Sequence, residues 1–233
     1  LLINDEKRYA RLVTLKSQTL SLGRRVTLLP AKEDDAKFDE ADGEAADFDG
    51  GFYYVIGSHA RSRKAGLTQP SRSFVYRFPV EPATGLPAFK TDDDKPAKEV
   101  ERSNRLHALI ADAAPFNEHL RRPADGHDPN IEGLAVRDGR LYAGFRAPSL
   151  YGDAFILSVP VDVLFGKGKS AATVTRVRLG LGMGIRDLAK VRDGFLILSG
   201  PETNLNGKAE LWLWDGHASE PTLLGQLAGV AID

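Results

Sequence analysis

The 233-residue chain contains no cysteine, so disulfides, thiolate nucleophiles and cysteine-ligated zinc are all excluded. That absence does not fix a redox compartment. No apolar stretch approaches the roughly 18 residues that a membrane-spanning helix needs, and no signal-peptide pattern opens the chain. Neither sign of charge is in surplus: 31 Lys and Arg stand against 32 Asp and Glu, for a net charge of −1. Such a balance offers no electrostatic footprint for nucleic acid or for an anionic membrane. The local group Arg61, Arg63, Lys64 and Arg72 reads as a solvated loop rather than a basic patch. Methionine occurs once, at Met183, and the chain opens at Leu1. A trimmed or processed form is expected, which leaves a lost targeting segment open. The expectation is a soluble protein, cytoplasmic or periplasmic.

Several catalytic signatures are missing as well. There is no Gly-x-Ser-x-Gly elbow. Gly180-Leu-Gly-Met-Gly184 is not a phosphate loop, because no Lys-Ser/Thr follows it; its glycines are expected to allow a close backbone approach. Neither acidic run, Glu33 through Asp49 or Thr91 through Lys95, has the Asp spacing and closing Glu of a helix–loop–helix calcium site.

What is present is a unit that recurs three times. The copies are Glu44-Ala-Ala-Asp-Phe-Asp-Gly-Gly-Phe-Tyr-Tyr-Val-Ile-Gly-Ser-His59, Glu132-Gly-Leu-Ala-Val-Arg-Asp-Gly-Arg-Leu-Tyr-Ala-Gly-Phe-Arg146 and Asp187-Leu-Ala-Lys-Val-Arg-Asp-Gly-Phe-Leu-Ile-Leu-Ser-Gly-Pro201. Each reads as a carboxylate, a short apolar strand, an Asp-Gly turn and a second apolar strand. A third strand with period-two alternation follows each copy, at Ser73–Val80, Asp153–Val161 and Ala209–Asp215. A weaker fourth follows at Ala97–Arg102, Ala172–Leu179 and Pro221–Leu227. Four short strands per unit predict an all-β fold, a β-propeller of four or five antiparallel blades forming a single domain over 1–233.

The chain ends complete that expectation. Leu1–Glu6, Tyr9–Leu15 and Arg24–Leu29 read as the later strands of a first unit, and Gly229–Asp233 as the missing first strand, so both termini close the ring. The units fall near 1–30, 44–102, 132–179 and 187–227. From Glu44 to Glu132 is 88 residues, and from Glu132 to Asp187 only 55. The excess near 103–120 is expected to be a helical insertion, capped by Ser103, carrying Leu106, Leu109 and Ile110, and interrupted by Pro115. His107 and His119 within it read as surface residues, and Trp212 and Trp214 as alternating between the core and the sheet surface.

In a propeller the start of a blade's first strand and the end of its second lie on one face, near the channel mouth. Strand-one starts place Glu44, Glu132, Arg186 and Asp187 there, and strand-two ends place Asp5, Glu6, Ser58, His59, Arg146, Pro201 and Glu202. Two readings follow. In the first, Glu132 pairs with Arg146, and Glu44 with His59 or Ser58, as ties inside each blade. In the second, Glu44, Glu132, Asp187 and Glu6 hold a hard cation such as Ca²⁺ or another divalent ion. Arg146, Arg186, Arg61 and Ser58 then bind an anionic small molecule, and His59 serves as acid or base with Arg146 and Arg186 as catalytic partners.

Six motifs in one order, from Asp-Gly-Glu44-Ala-Ala through Gly57-Ser-His-Ala-Arg61, Asn130-Ile-Glu-Gly-Leu-Ala135, Gly144-Phe-Arg-Ala-Pro148 and Gly184-Ile-Arg-Asp187 to Ser199-Gly-Pro201, resemble the domain of unknown function 3616 family, found mostly in bacteria. The resemblance runs from about Asn4 to Asp233. It implies a β-propeller-like fold. The chain departs from the family in having Ala45 where members tend to have Gly after the first motif's Glu, and in carrying less sequence before Asp5-Glu6.

Two functions are expected from these readings. One is a metal-assisted hydrolase of a phosphorylated or otherwise anionic small molecule, the metal activating water. The other is a non-catalytic propeller that binds a ligand or a protein at the channel mouth.

Overall fold

The computed structural model describes the chain except for residues 35, 63–65, 68, 123–126, 204–206 and 228–233. The closing strand expected at Gly229–Asp233 lies outside the described residues. About half of the chain is strand and a tenth helix, which makes the protein all-β.

The chain opens with a hairpin of β1 (Tyr9–Lys16) and β2 (Thr19–Thr27), to which Leu2 adds a bridge at Arg11. Two-residue strands β3 (Lys32–Glu33) and β4 (Ala36–Lys37) form a small second hairpin. Three four-stranded antiparallel meanders follow. The first is β5 (Gly43–Asp49), β6 (Phe52–Gly57), β7 (Val75–Pro79) and β8 (Glu101–Ser103). The second is β9 (Asn130–Arg137), β10 (Arg140–Leu150), β11 (Asp153–Pro160) and β12 (Thr173–Arg178). The third is β13 (Met183–Val191), β14 (Gly194–Pro201), β15 (Ala209–Trp214) and β16 (Thr222–Leu227). The strands expected for the three repeat units are thus present in order, with ends that shift by a few residues, whereas the strand expected at Leu1–Glu6 is only the single bridge at Leu2.

The sheets pack face to face in chain order, because the alternation of side chains gives each strand two apolar faces. Val55 joins the core toward the β1–β2 hairpin, while its neighbour Ile56 joins the core toward the second meander. Likewise Phe155 and Leu157 face back toward the first meander, and Ala154 and Ile156 face on toward the third. Across sheet boundaries the first strand β9 meets both β5 and β13, and β10 and β11 also lie against β13. Lys190 of β13 ties that strand to β5 and β9, its Nζ lying 3.0 Å from Asp47 Oδ2 on β5 and 2.7 Å from the Val136 carbonyl oxygen on β9.

Two helices, α1 (Arg105–Asp112) and α2 (Phe116–Leu120), fill the insertion, and α3 (Val161–Phe165) follows β11. The insertion belongs to the core. Leu106, Ile110 and Phe116 are fully buried, and Phe116 stacks on Phe145 of β10 with centroids 4.1 Å apart. Ser103 Oγ accepts the Arg105 N–H at 3.3 Å, although Asn104 occupies the capping position. His107 departs from the surface position expected for it: its ring stacks on buried His59 at 5.9 Å. Trp214 is buried and Trp212 is half-buried against the same core; two residues apart on β15, they share one face of the strand and do not divide between core and sheet surface as expected.

The hairpin turns differ from the uniform Asp-Gly expected. Strand pairing places the turn at Gly50-Gly51 in the first meander, at Asp138-Gly139 in the second, and at Arg192-Asp193 in the third. The third hairpin therefore turns one residue earlier than its Asp-Gly pair suggests. That shift matters for the site. Among the described residues no helix is long and apolar enough to cross a membrane.

Candidate functional site

Each first strand carries a β-bulge near its start. In β5, Gly43 pairs with Gly57 and Ala45 with Ile56, which leaves Glu44 as the extra residue. In β9, Ile131 pairs with Phe145 and Gly133 with Gly144, which leaves Glu132. In β13, Ile185 pairs with Ser199 and Asp187 with Leu198, which leaves Arg186. A bulge takes one residue out of the ladder and re-aims its side chain. Glu44, Glu132 and Arg186 are therefore structural equivalents. Matching the Asp-Gly turns of the sequence instead pairs Asp187 with Glu132. A one-residue slip sends a side chain to the opposite face of the sheet, and Asp187 accordingly does not join Glu132. Its Oδ1 accepts the N–H of Leu188 instead, at 2.8 Å.

The Glu132 carboxylate is held at both oxygens. Arg146 Nη1 donates to Oε1 at 2.9 Å, and Arg186 Nε lies 3.0 Å from Oε2. The three side chains are nearly buried, with side-chain exposures of 7% for Arg146, 3% for Arg186 and 14% for Glu132. Arg146 Nε also donates to the Glu202 carbonyl oxygen at 3.0 Å. Buried charges persist when they are paired in this way. The Glu132–Arg146 tie expected from the sequence is present. The tie expected for Glu44 is not: Ser58 Oγ donates to Asp42 Oδ2, and Glu44 makes no hydrogen bond or ion pair among the described residues.

A cavity of about 800 Å³ opens beside this network. Its walls hold Glu44, Asp42 and Glu40 from the segment entering β5, Asp5 and Glu6 from the N-terminal turn, and Asp128 and Glu202 from the far side. Arg61, Arg72 and Arg146 are its cations, so carboxylates outnumber arginines seven to three. Each arginine is engaged. Arg61 pairs with Asp128, Arg72 lies 2.6 Å from Glu40 and 3.6 Å from Asp42, and Arg146 holds Glu132.

The backbone explains the convergence. Asp42 has a φ of +50°, a conformation that Asp tolerates better than most residues. Its carbonyl oxygen accepts the Ser58 N–H at 3.1 Å, and the Ser58 carbonyl oxygen accepts the Ile131 N–H at 2.9 Å. The end of β6 is thereby stitched to the start of β9. Strand-one starts and strand-two ends do share one end of the molecule.

Electrostatic strain concentrates on Glu44. Burial, then the charges of Asp42, Glu132 and Asp5, push its carboxyl up to about 8, with Arg146 opposing. Burial also raises Asp42, against its hydrogen bond from Ser58 and the nearby Arg72. At neutral pH Glu44 holds a proton. Repelling carboxylates around a partly dry cavity accept a proton or a bound cation.

The residues picked out from the sequence divide into those at the cavity and those behind it. Glu44, Glu6, Ser58, Arg61 and Arg146 line it; Glu132 and Arg186 stand behind Arg146; His59 and Asp187 are elsewhere. His59 is 2% exposed, and burial, then its neighbour His107, hold its ring down at about 3. It stays neutral across the range in which a proton shuttle would work, and the titrating group at the cavity is Glu44. Among the described residues no three His, Asp or Glu side chains converge closely enough to hold a metal ion. Of the set Glu44, Glu132, Asp187 and Glu6, Glu44 and Glu6 line the cavity, whereas Glu132 is paired with Arg146 and Arg186 and Asp187 accepts the Leu188 N–H. Glu40, Asp42 and Asp128 are lining residues that sequence reasoning missed, while Arg61 and Arg72 form ion pairs at the cavity instead of the solvated loop expected for them; Arg63 and Lys64 of that group lie outside the described residues. Spacing alone does not reveal Glu40 and Asp42: the left-handed backbone at Asp42 and the bulge at Glu44 break the extended chain, so a period-two pattern does not set their sides.

The bulged carboxylates and the residues around them fall within a known family. The model of the family described as "Protein of unknown function (DUF3616)" matches residues 3–224. The chain belongs to that family. The DUF3616 match takes in cavity-lining residues from both halves of the chain, including Asp5 and Glu202. A comparison with curated proteins gives no match.

Proposed function

We propose that the three meanders and the N-terminal hairpin are blades of a β-propeller, and that the acidic cavity binds a small ligand carrying a guanidinium or ammonium group. The propeller reading rests on the face-to-face packing of successive sheets and on the contacts of β9 with both β5 and β13. The ligand reading rests on one comparison. Glu132 and Glu44 are equivalent bulged carboxylates, but Glu132 is matched by two guanidinium groups and Glu44 by none among the described residues. Strand pairing puts Ser58 at the end of β6 where Arg146 stands on β10. The second meander fills with its own arginine the position that the first leaves to the cavity. A ligand cation placed there neutralises Glu44 in the same manner, and planar guanidinium matches carboxylate geometry best. The excess of carboxylates opposes the phosphorylated substrate expected from the sequence.

Titration calorimetry with butylguanidine and butyl phosphate at pH 8.5 tests this. Butylguanidine should bind at one site and lose at least tenfold in affinity in Glu44→Gln. Binding of the phosphate alone would reject the reading.

A second reading is hydrolysis of a cation-bearing ester or amide. Its support is the Glu44 carboxyl near 8, since a group that titrates near the working pH serves as general acid or base. Turnover of such an ester should then show an inflection near pH 8 that Glu44→Gln abolishes. A pH profile unchanged in that variant rejects it.

A further inference from the structure

A second cavity, of about 600 Å³, lies on another part of the molecule between α1, α3 and the loop Gly166-Lys-Gly-Lys-Ser170. Its walls contain Arg105, Lys167 and Lys169 and no acidic residue. None of these three cations forms an ion pair among the described residues. Arg105 is instead fixed by backbone, with Nη1 donating to the carbonyl oxygens of Val163 at 3.1 Å and Gly166 at 2.7 Å. This anchors its guanidinium at the rim and also satisfies carbonyl groups at the end of α3. Lys167 and Lys169 flank Gly168. The two-residue spacing puts their side chains on the same side wherever the loop is extended.

The rest of the wall is apolar. Ala108 and Leu109 come from α1 and Val163 from α3, and the lysine stems add methylene surface. The volume is within the range of small-molecule pockets, and an apolar wall with a few convergent polar groups is their usual make-up. One carboxylate lies close by. Asp162 sits against the loop, where a Cβ on Gly166 or Gly168 would strike its side chain. It lowers the local excess from three positive charges to two and does not reverse it. In a chain of net charge −1, a cavity rimmed by three cations without ion-pair partners is a local inversion of sign.

We propose that this cavity is a second binding site, for a small amphiphilic anion: a carboxylate or phosphate head held by Arg105, Lys167 and Lys169, with a hydrocarbon body against Leu109, Ala108 and Val163. The site is independent of the acidic cavity and has the opposite charge preference. A cationic head is repelled by all three rim groups, and an anion without an apolar body forgoes contact with the walls.

The test is titration calorimetry on the full chain with sub-micellar decanoate, decyltrimethylammonium and inorganic phosphate. Decanoate should bind at one site, at least tenfold more tightly than either comparison ion. The exposed double variant Lys167→Gln/Lys169→Gln should weaken decanoate by tenfold or more while leaving butylguanidine binding unchanged. Ala108→Glu, an exposed helical position where added bulk and negative charge intrude on the cavity, should abolish it. Equal binding of decanoate and decyltrimethylammonium would show an apolar cleft without charge recognition and overturn the proposal. So would phosphate binding as tightly as decanoate, no decanoate binding at millimolar concentration, or decanoate affinity unchanged in both variants.

Discussion

Arg186 Nε on β13 lies 3.0 Å from Glu132 Oε2 on β9, so the bulge of one sheet supplies the counter-charge for the bulge of another. Arg146 completes the pairing from β10. Removing the carboxylate leaves two nearly buried guanidinium groups without their shared anion. Loss of one member of such a buried pair typically destabilises by about 3–5 kcal/mol. Glu132→Leu should therefore lower the urea midpoint strongly, and Glu132→Gln, which keeps an acceptor, somewhat less. Unchanged midpoints in both would show that the triad contributes little to stability.

The Glu44 carboxyl gives a pH dependence of definite sign. Its folded value near 8 lies above the ordinary 4.5, so the folded state holds the proton more tightly than the unfolded chain does. The stabilisation is full below pH 4.5 and is lost as pH rises through 8. Each tenfold difference in proton affinity between the two states is worth about 1.4 kcal/mol. Glu44→Gln should be more stable than the parent at pH 9 and lack this loss. Equal pH slopes for variant and parent in denaturant titrations would contradict the assignment.

His59 acts in the opposite direction. Its folded value near 3 lies below the ordinary 6.5, so the neutral ring contributes stability above pH 6.5 that is lost as pH falls toward 3. The NMR signals of its ring should not titrate between pH 5 and 8. A midpoint near 6.5 would place His59 in contact with solvent.

Phe116 tests whether the insertion belongs to the core. It is fully buried, stacked on Phe145 and set edge-on to Phe155 at 5.8 Å. Phe116→Ala should cost about 3–5 kcal/mol, measured by denaturant unfolding. A loss below about 1 kcal/mol, the range of surface changes, would make the helices peripheral.

Gly184 tests the close approach of β13 to β10. A Cβ at this position would collide with the Arg146 carbonyl oxygen, a backbone atom with little room to yield. Gly184→Ala should lower the melting temperature by several degrees and loosen Arg146. A melting temperature equal to the parent's would show that the two strands can separate at little cost.

The sequence by itself determined the class of the fold and the order of its strands. Period-two patterns at segments such as Asp153–Val161 depend on neighbouring residues and on burial of alternate faces, both local to the strand. It also placed Glu132 beside Arg146, because a hairpin returns the chain to its starting end. The tertiary structure decided the rest. The turn at Arg192-Asp193 comes one residue early and makes Arg186, not Asp187, the equivalent of Glu132. Bulges are small departures in register that depend on pairing with the neighbouring strand and packing against other sheets, and composition does not reveal them. Whether a carboxylate is paired or faces a cavity depends on groups far away in the chain. Glu132 meets Arg186 from another sheet, whereas Glu44 meets the charges of Asp42 and Asp5. That long-range geometry, acting through burial and charge, separates a structural ion pair from a group left to bind a proton or a ligand.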